Sequence, residues 1–379
     1  MYKLNLDIAD FMENYWQKKP LLIKAGFKDF IDPISPDEIA GLAMEEEITS
    51  RMVWREEDKW QAACGPFTEF ERMEQDGSAI LVQAINHWHE PSAELANTFN
   101  FIPSWRFDDL MVSYSTDTGG VGPHVDRYCV FIIQGLGKRH WRVGAQDMNP
   151  QEFAANGALK HCEAFDAVID TVLEPGDILY IPPYAPHEGY AVGEAINYSV
   201  GFRAQDQKEL LNDFGDYLLQ QEKEFVRYSD KNLKPRAEHG SIEANEVQGL
   251  TDIMTSLMAD KSVMHDFLGR HYSESAHELD IVVPEGGYIA DYAIVVDEIG
   301  MESYLRKVNG LKTLYFPEMP TSCFIDGERY DFDASIAASV QTLCNTTEQS
   351  AKELEALMED KVFGQQLIEW VNLGYWHFE

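Results

Sequence analysis

The stretch from about residue 108 to 204 constrains this chain more than any other part of it. It repeats short runs rich in Val, Ile, Tyr and Phe: LMVSYS, YCVFIIQ, HWRVG, AVIDTVL, DILYIP, GYAV and INYSVGF. Between them stand GG, GLGK, EPGD and PPYAP, and such Gly/Pro clusters mark turns. Many short strands punctuated in this way predict an all-β barrel or jelly roll.

Two places in that stretch carry side chains suited to chemistry. At the start of one run stand His124 and Asp126. Residues i and i+2 of a strand point to the same face, so both reach one metal from the inside of a barrel. His187 follows the run DILYIP and a Pro-rich turn that fixes the backbone. Two His and one carboxylate leave half of an octahedral shell open, as in the non-haem Fe(II) oxygenases, which hold cosubstrate and O2 there. The HxD pair alone is a weak signal; with GDILYIPP and a His about sixty residues later it is much stronger.

The flanks are mixed. Ser35-Pro36-Asp37-Glu38 predicts a capped helix over about 36–46. Residues 79–85, AILVQAI, read as a buried strand, and HEPSAELANTF as a capped helix. From about 206 the pattern is helical, with Leu210, Leu211, Phe214, Tyr217, Leu218 and Phe225 close to a 3.6 period. A polar stretch follows, then a second helical run, VQGLTDIMTSLMADKSVMHDFLGRH. Such a helix pair suits either a dimer contact or packing onto the barrel. In the tail, YAIVVDEI and TLYFP look like strands, with helices near 334–344 and 348–373. That mix suits a small winged-helix-like unit. The expected domains are 1–205, 206–275 and 276–379.

Charge narrows the partners. The formal net charge is -35, spread over the whole length. The tail 276–379 has about six Lys/Arg against about nineteen Asp/Glu, whereas DNA binding needs a basic recognition surface. No direct nucleic-acid binding is expected; a basic protein partner fits the field. No run of about 18 apolar residues suggests a membrane span. The first twenty residues lack a secretory h-region, so the expected location is the cytoplasm. The five cysteines form no CxxC pair and are expected to be reduced thiols.

The segments GVGPHVDRYCVFIIQGLGKRHWRV and EPGDILYIPPYAPHEGYA…NYSVGFRA resemble the JmjC-type 2-oxoglutarate oxygenases. More narrowly, they resemble the bacterial ribosomal oxygenases of the cupin family. The likeness extends to NYWQKKPLLIKAGF, SRMVW, LVQAINHWHE, ELD and NLGYW, and so to nearly the whole chain. The resemblance implies an α+β protein: a double-stranded β-helix (cupin/jelly-roll) JmjC domain, a helical dimerisation segment, and a winged-helix-like C-terminal domain. It implies Fe(II), 2-oxoglutarate and O2 as cofactor and cosubstrates. The reaction implied is hydroxylation of an arginine β-carbon on a basic ribosomal protein of the large subunit, with succinate and CO2 as co-products, carried out by a homodimer.

His124, Asp126 and His187 fall on the family's iron positions. The distal carboxylate of 2-oxoglutarate needs a buried partner, and an Arg fork suits it best. Arg139 matches the family's basic residue. Lys138 and Arg142 point to the opposite face if a strand begins near 138, and Arg203 is the runner-up. Ser113 matches a cosubstrate-binding hydroxyl, and Asn197 is a further candidate. For the substrate guanidinium, Asp117 offers a carboxylate, and Tyr114 and Tyr128 offer rings to stack on. His87 and His89 form a second HxH pair that lacks a third ligand, and they are expected to be structural. His140 and His161 show no partner spacing. Rival readings are a ribosomal histidine hydroxylase or a demethylase on the same scaffold, or a non-catalytic cupin that only binds a partner.

Overall fold

A computed structural model describes residues 2–57, 59–156, 159–283 and 290–379. The chain enters through α1 (Ile8–Asn14), where the Asp7 carboxylate accepts from the Asp10 amide. Strand β1 (Leu21–Ile23) follows, then α2 (Pro36–Leu42), which carries the capping box predicted from Ser35 and Glu38. That helix stops four residues short of the expected end, where the Ala43 amide turns back to the Ile39 and Gly41 carbonyls. Next come β2 (Ser50–Glu56), β3 (Lys59–Cys64), β4 (Ser78–Val82), α3 (Ile85–Trp88) and α4 (Glu90–Asn97).

The Gly/Pro-punctuated stretch forms β5 (Phe107–Ser115), β6 (His124–Val125), β7 (Cys129–Gln134) and β8 (Lys138–Gly144). After these come β9 (Glu152–Asn156), β10 (Leu159–Cys162), β11 (Ala167–Leu173), β12 (Ile178–Ile181), β13 (Pro186–Val192) and β14 (Ala195–Phe202). The β9–β10 hairpin is an addition to the expected runs; its polar residues hid it. The larger sheet runs β1-β12-β7-β14-β5-β4-β2-β3, and β11-β8-β13-β6 faces it. Together they make the expected double-stranded β-helix.

Strand alternation sorts the side chains into two cores. Leu110 and Val112, Phe131 and Ile133, Ile178 and Tyr180, and Ile196, Tyr198 and Val200 face outward from the larger sheet and pack under α1–α4 with Phe11, Ile39 and Phe99. Their neighbours Val130, Ile132, Trp141, Val143, Leu179 and Ile181 face inward, between the sheets. Burying a large apolar side chain contributes about 1.5–3 kcal/mol. The outer aromatic layer, where Phe11 stacks edge-on to Tyr180 at 4.8 Å and Phe99 lies 4.8 Å from Phe131, therefore fixes the sheet on which the interior is built.

Beyond the barrel lie α5 (Gln207–Gln220), α6 (Ala244–Ala259) and α7 (Lys261–Ser273). The C-terminal unit has its own core, centred on Val295, Leu305, Leu354, Phe363 and Trp370. It contains α8 (Tyr292–Gly300), β15 (Leu305–Lys307), β16 (Thr313–Leu314), β17 (Ser322–Ile325), β18 (Glu328–Asp331), α9 (Ala337–Asn345), α10 (Ala351–Met358) and α11 (Lys361–Asn372).

Three expectations need correction here. YAIVVDEI is not a strand but α8, capped by the Asp291 carboxylate on the Ile294 amide. Val295 and Ile299, four apart, both pack on the C-terminal core, and that spacing outweighs the β propensity of Ile and Val. TLYFP supplies only the two residues of β16. The single helix expected over 348–373 is two helices, because Asp360 accepts from the Val362 and Phe363 amides and starts α11 anew. Asp260 does the same between α6 and α7, accepting from the Ser262 and Val263 amides.

Candidate metal centre and cosubstrate pocket

His124 opens β6, and β6 pairs with β13 so that His124 lies directly opposite His187. Asp126 follows at the end of β6, and its carbonyl accepts from the Tyr184 amide at 2.7 Å. This bond ties the two ligand-bearing segments together. Asp126 Oδ2 lies 3.5 Å from His187 Nε2 and 3.9 Å from His124 Nε2. An ion with bonds of about 2.1 Å spans ligand pairs up to about 4.2 Å apart. One ligand atom from each of the three side chains lies within 4.8 Å of the others, and no other such group of His, Cys, Asp or Glu occurs among the described residues.

The histidine tautomers are set by the backbone. His124 Nδ1 pairs with the Gly122 carbonyl at 2.9 Å, and His187 Nδ1 with the Ala185 carbonyl at 2.9 Å. A carbonyl only accepts, so each Nδ1 carries the proton and each Nε2 lone pair is free for a metal. His187 is 2% exposed. Burial first, and then the neighbouring His124, push its pKa down to about 4, which keeps the imidazole neutral and ligating. Gly122 makes the approach possible. Its φ is +83°, and a Cβ there would meet the His161 ring at 2.5 Å.

Deeper in the barrel, β8 supplies Arg139. Its neighbours Lys138 and Arg142 point outward, as expected, to Glu174 and Glu188. Arg139 is 4% exposed, has no ion-pair partner among the described residues, and donates through Nη2 to the Ser115 hydroxyl. Its Nε is buried without a hydrogen-bond partner, and burial lowers its pKa to about 10. A buried cation with an idle donor is costly and fits a carboxylate brought by a ligand. Two residues along, on the same face, Trp141 Nε1 is also buried without a partner, and its ring lies 6.1 Å from the His187 ring. Ser113 and Asn197 are cross-strand partners; the Ser113 hydroxyl donates to Asn197 Oδ1 at 2.9 Å. Both are buried on the inward face. Ser115 and Trp141 were missed in the sequence, although counting by twos from Ser113 and Arg139 would have found them.

The structure does not bring three of the other candidates to the metal centre. Tyr114 lies between Ser113 and Ser115 and therefore points the opposite way, against the outer core and near Glu194. Asp117 is exposed, and its Oδ1 accepts from the Gly193 amide at 2.7 Å. Gly193 lies just beyond the end of β13 far from His187, roughly 20 Å along the strand. Arg203 lies one residue past β14 and is exposed, with its carbonyl held by Arg106 Nε. Tyr128 does stay with the site. It packs on the inward core, and the Asp126 charge, then burial, hold its phenol well above the usual range.

The four other histidines named in the sequence each have their own local partner. His87 is buried, with Nδ1 on the Glu278 carbonyl at 2.8 Å, and His89 bonds the Ser92 hydroxyl. His140 pairs with Asp170, and His161 with the Val121 carbonyl.

A two-histidine, one-carboxylate centre inside a double-stranded β-helix, with a buried arginine further along β8, is the arrangement of the non-haem Fe(II) oxygenases. Residues 94–210 match the family described as the JmjC domain, and residues 256–377 match the ROXA-like winged helix. The chain is 43% identical over 378 residues to the ribosomal protein uL16 3-hydroxylase of Escherichia coli (strain K12), covering 100% of this chain and 99% of that protein. It superposes on the X-ray structure of E. coli YcfD with a TM-score of 0.92 at 42% identity, over 100% of both chains. The structure of E. coli YcfD in complex with cobalt and 2-oxoglutarate matches with a TM-score of 0.89 at 43% identity, again over 100% of both. The chain therefore belongs to the ribosomal oxygenase family of JmjC proteins.

Proposed function

We propose that this protein is an Fe(II)- and 2-oxoglutarate-dependent hydroxylase acting on an arginine β-carbon of the large-subunit ribosomal protein uL16. The observation that carries the chemistry is Arg139, a buried cation without a counter-ion among the described residues, in the same barrel as the three metal ligands. The substrate follows from full-length likeness to the uL16 3-hydroxylase. Bound iron supplies the coupling of O2 activation to oxidative decarboxylation of 2-oxoglutarate, giving succinate, CO2 and a hydroxylated side chain.

The residues of the chain do the rest. His124, Asp126 and His187 hold the ion on one side and leave the opposite side open. Arg139 clamps the distal carboxylate of 2-oxoglutarate, with Ser115 fixing the guanidinium. Ser113 and Asn197 offer a hydroxyl and an amide along the same inner face. Tyr128, beside Asp126, flanks the incoming side chain. The apolar inner residues Val130, Ile132 and Leu179 keep water from the rest of the cavity.

The protein works as a homodimer through α5 and α6. In its support, α6 has no buried residue and exposes Val247, Leu250, Met254 and Met258. Such a row of apolar side chains suits burial by a second copy. Among the described residues no helix is long and apolar enough to cross a membrane, and a ribosomal substrate supports a cytoplasmic location.

Mass spectrometry of uL16 after incubation with the enzyme, Fe(II), 2-oxoglutarate and O2 tests the reaction. A gain of about 16 Da on one arginine is expected, the mass of the single oxygen atom inserted by this class of enzyme. The same gain on a histidine would transfer the assignment to histidine hydroxylation. Unmodified uL16 in the presence of active-site binding of 2-oxoglutarate would overturn the substrate.

A further inference from the structure

A cleft of about 330 Å³ lies at the seam between the barrel and the C-terminal unit. One wall is α4 and the segment 102–107; the other is β15, β16 and the end of α9. Its chemistry is opposite to that of the chain around it. Of the 379 residues 65 are Asp or Glu, yet none lines this cleft among the described residues. Lys307 and Lys312 line it instead, together with the neutral amides of Asn97, Asn309 and Asn345.

Lys307 is the central group. Its Nζ donates to Thr313 Oγ1 at 2.8 Å and to the Cys344 carbonyl at 2.9 Å. That carbonyl belongs to the last turn of α9, where carbonyls lack partners within the helix. Lys307 thus caps α9, but an ammonium has three donors, and the third has no partner among the described residues. No carboxylate lies within ion-pair distance of it among the described residues. The nearby acids Glu90, Glu348 and Glu379 are all drawn to Arg306, the preceding residue. Burial pulls the Lys307 pKa down to about 8, so it still carries charge at neutral pH. On the same wall, Lys312 is influenced by Asp108 and Asp109 of the barrel, so Lys307 is the less compensated of the two. A cation enclosed without a counter-charge is destabilising, and a diffusible anion removes that cost.

We propose that this interdomain cleft is a binding site for a small anion, a carboxylate or a phosphate, with Lys307 as its main contact. The asparagine amides supply neutral donors around it. Because both walls contribute, an occupant joins the barrel to the C-terminal unit.

Calorimetric titration of the metal-free full chain with inorganic phosphate and, separately, with succinate tests this. The chain carries Arg139→Met, so that succinate finds no anchor in the barrel. Saturable binding of at least one anion, one per chain, is expected; which anion binds identifies the phosphate or the carboxylate source. Asn97→Asp places a like charge on the exposed rim without touching the α9 cap, and should weaken binding about threefold or more. Lys307→Met should abolish it, with circular dichroism checking that the variant folds. If that variant does not fold, Asn97→Asp alone decides. No saturable binding of either anion, or binding unchanged in the folded variants, would overturn the proposal.

Discussion

Arg139 has its Nε buried without a partner and a single hydroxyl on its other side. Replacing it by Met should weaken 2-oxoglutarate binding about 10- to 100-fold, the worth of a charge-assisted hydrogen bond. Anaerobic titration of the Fe(II) protein, followed by its metal-to-ligand absorption, measures this. Tyr114→Phe should leave the same titration unchanged, because that ring sits outside the barrel. His87 makes a different prediction. Burial lowers its pKa from 6.5 to about 4, so its contribution to stability is full above pH 6.5 and is lost as pH falls toward 4, by up to about 3 kcal/mol. His87→Asn keeps a donor for the Glu278 carbonyl and should flatten the fall of Tm over that range. At this scale the metal ligands were legible, since HxD and a distant His follow from strand parity and a turn. Asp117 was misplaced because its position depends on a loop pairing with the β13–β14 turn, a contact 76 residues away. Tyr114 was misplaced although its parity was readable: it cannot share a face with Ser113.

Among the elements, α6 is the least settled within a single chain. Met254 is 60% exposed, and Leu250 lies one turn before it on the same face. Leu250→Glu with Met254→Glu should yield monomers in light scattering at concentrations where the wild type is dimeric, with helix content retained. A wild type that runs as a monomer would remove α6 from the dimer account. The strands of the barrel were readable because Gly and Pro punctuate them. The helices after residue 205 were readable as periodicity, but α6 and α7, and likewise α10 and α11, were each read as one run. Their breaks are made by single residues, Asp260 and Asp360, whose carboxylates cap the next helix. A row of apolar residues such as YAIVVDEI is ambiguous until it is known what it packs against, and α8 was misread for that reason.

For the whole molecule, the charge of -35 acts at a distance that salt controls. Raising ionic strength from about 0.05 to 0.3 M shortens the screening length about two- to threefold. The KM for a basic ribosomal protein should therefore rise with salt, whereas the KM for 2-oxoglutarate, anchored inside the barrel, should change little. Steady-state kinetics with both varied separates the two. Equal responses would mean that the acidic surface does not guide the substrate.

The shortness of β6 has a consequence for how the enzyme matures. Only two residues pair it to β13, and they place His124 opposite His187. A slip of one residue would turn both His124 and Asp126 out of the barrel, and beyond the two paired residues it is resisted by the Cys162 amide on the Pro123 carbonyl and the Tyr184 amide on the Asp126 carbonyl. An ion bridging the two strands would add to that resistance, because the slipped chain would offer two ligands fewer. Loading with metal would thus act as an inspection step, since a chain in the wrong register would hold the ion with fewer ligands.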